Sequence, residues 1–97
     1  MKIDRVPIPV VCKDTRYWRA FVSDNWENIT AFVGKYKIQI QDKLYFYVPL
    51  DSPDKLHGLV VVEAVLYNCY PSDRFMKLLK SRFRCGDVDI KICGGRL

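Results

Sequence analysis

The chain has 97 residues, 49% of them hydrophobic and 28% charged, and a formal net charge of +5. That length supports one hydrophobic core, and the composition is that of a folded domain rather than a disordered tail. The longest uninterrupted apolar stretch covers only residues 59–62, far short of the ~18 residues a membrane-spanning helix needs, so a single domain over residues 1–97 with no membrane role is expected.

The first residues, MKIDRVPIPVVC, place charges where a secretory leader needs an apolar segment, and a cytoplasmic protein is expected. Pro7 and Pro9 alternate with Val6, Ile8 and Val10, a pattern that suggests an edge strand, because proline cannot donate to a neighbouring strand. Over residues 15–33, Trp18, Val22, Trp26, Ile29 and Val33 recur at steps of three and four, the spacing of one helical face. Asp14 suits an N-cap. Asp24 followed by Glu27 resembles a second helix start, so a break near Asp24 and Asn25 would leave two short helices. Residues 17–22 also fit a strand, since Tyr, Trp, Phe and Val favour pleated surfaces.

Residues 35–41 and 44–50 alternate apolar with polar or tyrosyl side chains around Asp42 and Lys43, and predict a hairpin. Pro49, Ser52 and Pro53 close it. After Gly58, the run LVVVEAVLYNC is rich in β-branched residues and predicts a strand, with a helix from Pro53 onward as the other option. Pro71 and Ser72 open an amphipathic helix through Arg84, Gly86 ends it, and Val88, Ile90 and Ile92 alternate through a final strand. The order is β-α-β-β-β-α-β, which predicts an α+β domain in a ferredoxin-like (split β-α-β) arrangement with an additional strand.

Alternation assigns the residues of this sheet to two faces. Val60, Val62, Ala64 and Leu66 are expected beneath the helices, together with Ile38, Ile40, Phe46, Val88, Ile90 and Ile92. The opposite face is expected to stay open and to carry Lys37, Gln39, Tyr45, Tyr47, Val61, Glu63, Val65, Tyr67, Asp89 and Lys91. Cys69 and Cys93 fall on that open face and are expected to be the closest cysteine pair. The four cysteines lack the CxxC spacing of a zinc site, and buried thiols are expected.

Catalytic chemistry finds little support in these residues. His57, the single histidine, lies in a loop bounded by Pro53 and Gly58 and reads as solvated. Asp87 and Asp89 share a strand face, but Lys91 lies on it too and no third acid is identifiable, so no metal site is expected. Gly94 and Gly95 precede no helix and form no phosphate loop. A non-enzymatic protein without cofactor or metal is expected.

The charge surplus supplies the functional lead. Residues 71–97 carry seven Lys/Arg against three Asp/Glu, whereas residues 1–70 carry nine against eight. At 100° per residue, Arg74, Lys77, Lys80 and Arg84 share one arc of the last helix while Phe75, Leu78, Leu79 and Phe83 share the other. A lysine and arginine stripe of this kind neutralises nucleic-acid phosphates, and Tyr45 and Tyr47 on an open sheet would add base stacking. The reading is a small nucleic-acid-binding or regulatory protein. The alternative is a homodimeric interaction module that pairs through the open sheet face, with the helix charges serving only solubility.

Overall fold

The structure, a computed structural model, describes residues 6–83 and 88–94. Its elements are β1 (Ile8–Cys12), α1 (Thr15–Asp24), β2 (Ile29–Gly34), β3 (Lys37–Ile40), β4 (Lys43–Pro49), β5 (Ala64–Tyr67), α2 (Asp73–Ser81) and β6 (Ile90–Cys93), with 3-10 turns at Trp26–Asn28 and Pro53–Leu56. The strands form one six-stranded mixed sheet in the order β2-β3-β4-β1-β5-β6. Strands β4, β1, β5 and β6 run parallel, and β2, β3 and β4 form an antiparallel meander. This small α+β domain does not reproduce the ferredoxin-like order. In a split β-α-β unit another strand lies between the two parallel ones, whereas here α2 joins β5 to its immediate neighbour β6, and β1 pairs directly with β4.

Two expectations about the first third of the chain are corrected. β1 is a central strand, paired on both sides, rather than an edge. Its ladder to β5 begins at Val10, so both prolines sit near the start of the strand, where a missing N–H is tolerated. The second correction concerns residues 15–33. Asp14 caps α1 as expected, its Oδ1 accepting from the N–H groups of Arg16 and Tyr17. The break falls at Asn25, whose side-chain amide donates to the Phe21 carbonyl at 2.9 Å. Beyond it, residues 29–34 form β2 instead of a second helix. Ile29, Thr30, Phe32 and Val33 are β-formers, and pairing with β3 outweighs the accident of their three-and-four spacing.

Both faces of the sheet are covered at its central strands. Val11, Val48, Ala64 and Leu66 pack with Phe75 and Leu79 of α2. Ile8, Val10, Tyr45, Val65 and Tyr67 pack with Trp18 and Phe21 of α1. The expected open face is therefore an interior layer, and it cannot serve as a homodimer surface while α1 lies on it. The register of the hairpin explains part of the error: two residues, Gln41 and Asp42, connect Ile40 to its partner Lys43, so Ile38 lies opposite Tyr45 and shares its face. Ile38 and Ile40 thus belong beneath α1, with Tyr45, and not with Phe46. Val61, expected on the open face, is buried in the α2-side core, whereas Val60, Val62, Val88 and Ile92, expected beneath the helices, are exposed; Val60, Val62 and Val88 precede the regular strands, where alternation does not yet apply.

The cysteines are distributed between the layers. Asn68 adopts a left-handed conformation (φ 54°) after β5, which interrupts the alternation. Cys69 accordingly enters the α2-side core, donating from Sγ to the Val11 carbonyl at 3.3 Å, while Cys93 packs on the α1 side. Cys69 and Cys93 do not share a face. Cys12 and Cys69 are buried free thiols, and Cys85 lies outside the described residues.

Burial has a consequence at high pH. It pushes the Cys12 thiol from its ordinary value of 9.0 up to about 12, with Cys69, Cys93 and Asp14 acting in the same direction. Tyr67, buried and donating its hydroxyl to the Asp24 carboxylate, is raised as well. In both cases the folded chain retains a proton that the unfolded chain releases. Stability is thus complete below pH 9 and declines as pH rises from there toward 12. The urea midpoint at about pH 10.5 should lie below that at neutral pH; equal midpoints would contradict this account of Cys12 and Tyr67.

Candidate nucleic-acid interface

α2 is specified by local sequence signals. The Ser72 Oγ accepts from the Phe75 N–H at 3.3 Å, and Asp73 in the first turn suits the positive end of the helix dipole. Phe75 and Leu79 enter the core, with Met76 and Leu78 half-buried beside them. This commitment of one side leaves Arg74, Lys77 and Lys80 exposed on the other. Arg84 lies outside the described residues.

These cations are not consumed by carboxylates. The recorded ion pairs among the described residues join Arg16 to Asp14, Lys43 and Lys91 to Glu63, and His57 to Asp54. Arg74, Lys77 and Lys80 take part in none of them, and the i,i+4 pair available to Asp73 and Lys77 is not formed. A shallow depression of about 510 Å³ lies among Arg74, Lys77, Lys80, Met76 and Asp73. Next to it a groove of about 720 Å³ runs between α2 and the Pro53–Leu56 turn. Its floor is apolar, formed by Leu50, Phe75 and Leu78. Its rim is polar, with the cations Arg74 and Lys77 beside Ser72, Ser81 and His57 and the single carboxylate of Asp54.

His57 is thus part of the candidate surface, although its sequence context marked it as an ordinary loop residue. It is exposed, its Nδ1 lies 3.3 Å from the Arg82 guanidinium, and its Nε2 lies 4.0 Å from Asp54. Arg82 falls within the apolar arc of the helix, and its tip reaches outward to His57 while its Nε is buried without a hydrogen-bond partner.

The tyrosines lie elsewhere. Tyr45 is 5% exposed, covered by Phe21 with ring centroids 6.2 Å apart, and burial raises its hydroxyl pKa. Tyr47 is half-buried between Trp18 and Tyr36, at centroid distances of 5.9 and 5.4 Å, and its pKa is raised chiefly by burial. Both project to the α1 side of the sheet, so the fold does not bring them together with the cations of α2. Tyr45 offers no open ring for stacking.

Glu63 also departs from expectation. It is only 8% exposed, with its two oxygens each 3.2 Å from a lysine ammonium: Lys43 at Oε1 in a hydrogen bond, Lys91 at Oε2 in an ion pair without hydrogen-bond alignment. The interruption of a valine run by one glutamate was the available signal. Its partners come from β4 and β6, distant in sequence. Among the described residues no set of His, Cys, Asp and Glu side chains could hold a metal ion, and no helix is long and apolar enough to cross a membrane. No protein-family model, curated protein sequence or solved structure matches this chain.

Proposed function

We propose that this protein is a non-enzymatic nucleic-acid-binding module that holds phosphates with Arg74, Lys77 and Lys80. The observation that carries the reading is the set of three exposed cations on one arc of α2, none of them in an ion pair among the described residues, beside a groove rimmed in part by Arg74 and Lys77. A merely solubilising helix gains from pairing its charges along the surface. Here the acid that would do so, Asp73, leaves Lys77 unpaired. Position in the sheet supports the same surface, since Leu50 and Ser72 follow the carboxyl ends of β4 and β5, where open α/β sheets place ligands.

A gel-shift series in rising salt tests the proposal. Three neutralised phosphates on a single strand give a slope of roughly −2 in log K against log salt, and a protein that binds neither single nor double strands at ~50 mM salt is not a nucleic-acid-binding module. The alternative, a homodimer, is favoured by a different surface from the one expected. β2 forms an edge of the sheet and carries exposed Phe32, 58% accessible, in ring contact with Trp26, 61% accessible. An exposed apolar edge strand is a site for strand pairing. Sedimentation of the parent chain as a monomer at every concentration tested removes that alternative.

A further inference from the structure

We infer that the notch at the carboxyl end of β4, walled by Tyr36 and Tyr47 and rimmed by Lys35, Lys37 and Lys55, holds one unpaired nucleotide of a single-stranded nucleic acid. The notch has a simple origin. β3 has four residues and β4 has seven, and their ladder runs from Ile40 opposite Lys43 only to Lys37 opposite Phe46. Beyond that point Tyr47, Val48 and Pro49 keep β1 on one side. On the other side the chain turns away through residues 34–36, held by one bond from the Tyr47 N–H to the Tyr36 carbonyl at 3.0 Å. The space left is about 500 Å³, within the range of small-molecule sites.

Its chemistry is specific. The residues lining it are three lysines, two tyrosines, Phe46 and Pro49, with no carboxylate among them. None of the three lysines joins the recorded ion pairs. The Lys35 ammonium instead lies over the Tyr36 ring, 5.4 Å from its centroid. Tyr36, 38% exposed with Tyr47 packed against it, is the ring that meets a base, and an adjoining ammonium takes the phosphate on the same nucleotide. A duplex keeps its bases stacked inside and cannot present one here, so the site selects single strands.

Location connects this notch to α2. Lys55 belongs to the Pro53–Leu56 turn, the turn that also borders the α2 groove through Asp54. The two surfaces share that turn, so a single strand that engages both has to cross it. The identity of the ligand as nucleic acid rests on the reading proposed above, while the place of the unpaired base rests on the notch itself.

The experiment compares an oligothymidylate single strand and its duplex with oligodeoxyadenylate by fluorescence anisotropy, for the parent, Lys35→Ala/Tyr36→Leu and Lys77→Glu/Lys80→Glu. In parallel, a single strand carrying 5-iodouracil is photocrosslinked to the parent and the adduct is mapped. The notch variant should lose roughly ten-fold or more in single-strand affinity with duplex affinity unchanged, and the adduct should fall on Tyr36 or Tyr47. An adduct confined to α2, with single-strand affinity unchanged in the notch variant, overturns the inference and leaves the α2 reading standing. A notch adduct that persists while Lys77→Glu/Lys80→Glu binds like the parent upholds the notch and removes α2. Failure of the parent to bind either oligonucleotide ends both. Displacement of the oligonucleotide by polyglutamate of matched charge as effectively as by unlabelled single strand would reassign the notch to an acidic peptide and overturn the nucleotide.

Discussion

Phe21→Ala should destabilise the protein by about 3–5 kcal/mol, the usual cost of emptying a buried phenylalanine site. Phe21 is 0% exposed and forms the centre of the α1-side core, stacked on Trp18 at 5.5 Å, edge-on to Tyr67 at 5.4 Å and tilted toward Tyr45 at 6.2 Å. Three aromatic neighbours cannot collapse into the vacated volume without leaving their rotamers. A domain of this size has about 5–15 kcal/mol of total stability, so the substitution removes a large share of it and the variant unfolds at low denaturant. Phe32→Ala, on the exposed side of β2, should change stability by less than about 0.5 kcal/mol. Denaturant midpoints for the two variants distinguish the structure from a sheet with one open face. Similar losses in both would mean that α1 does not cover the tyrosine-bearing layer.

The second expected result separates binding from folding. Neutralising Arg74, Lys77 and Lys80 together to alanine should lower single-strand affinity about 100-fold at ~0.1 M salt, because three phosphate contacts contribute roughly two decades there relative to 1 M. The fold should tolerate the change. All three side chains are exposed, alanine is the best helix former, and the loss of Lys80 from the last turn of α2 costs at most about 1 kcal/mol of dipole interaction. An equal loss of charge on the other helix layer, in Lys13→Ala/Arg16→Ala/Arg19→Ala, supplies the control. Were that control to weaken binding as much as the α2 variant, attraction would come from the net charge of +5 and not from α2.

Several elements were legible because their signals lie within a few residues. The cap at Ser72, the apolar arc of Phe75 and Leu79 and the opposing Arg74, Lys77 and Lys80 all follow from spacing on one helix. The hairpin of β3 and β4 was legible from alternation around Asp42. The connection read there, Asp42 and Lys43, lies one residue later than the observed Gln41 and Asp42, yet either one puts Ile38 and Ile40 on the tyrosine face once the pairing is applied. Residues 29–34 failed for the opposite reason: their spacing suits a helix, and only the presence of β3 as a partner makes them a strand. The notch was illegible because it depends on where one strand stops beside another.

What the sequence determined by itself was local: the two helices' starting points, the hairpin, and the concentration of positive charge on one arc of α2. These depend on backbone propensity, capping and period, which act over one or two turns of chain. The tertiary structure decided which strands are neighbours, that β1 lies at the centre, and that α1 covers the layer carrying Tyr45 and Tyr47. Such choices are made by burying apolar area between segments far apart in sequence, and alternation within a strand states only that two faces exist. It does not state what will cover them.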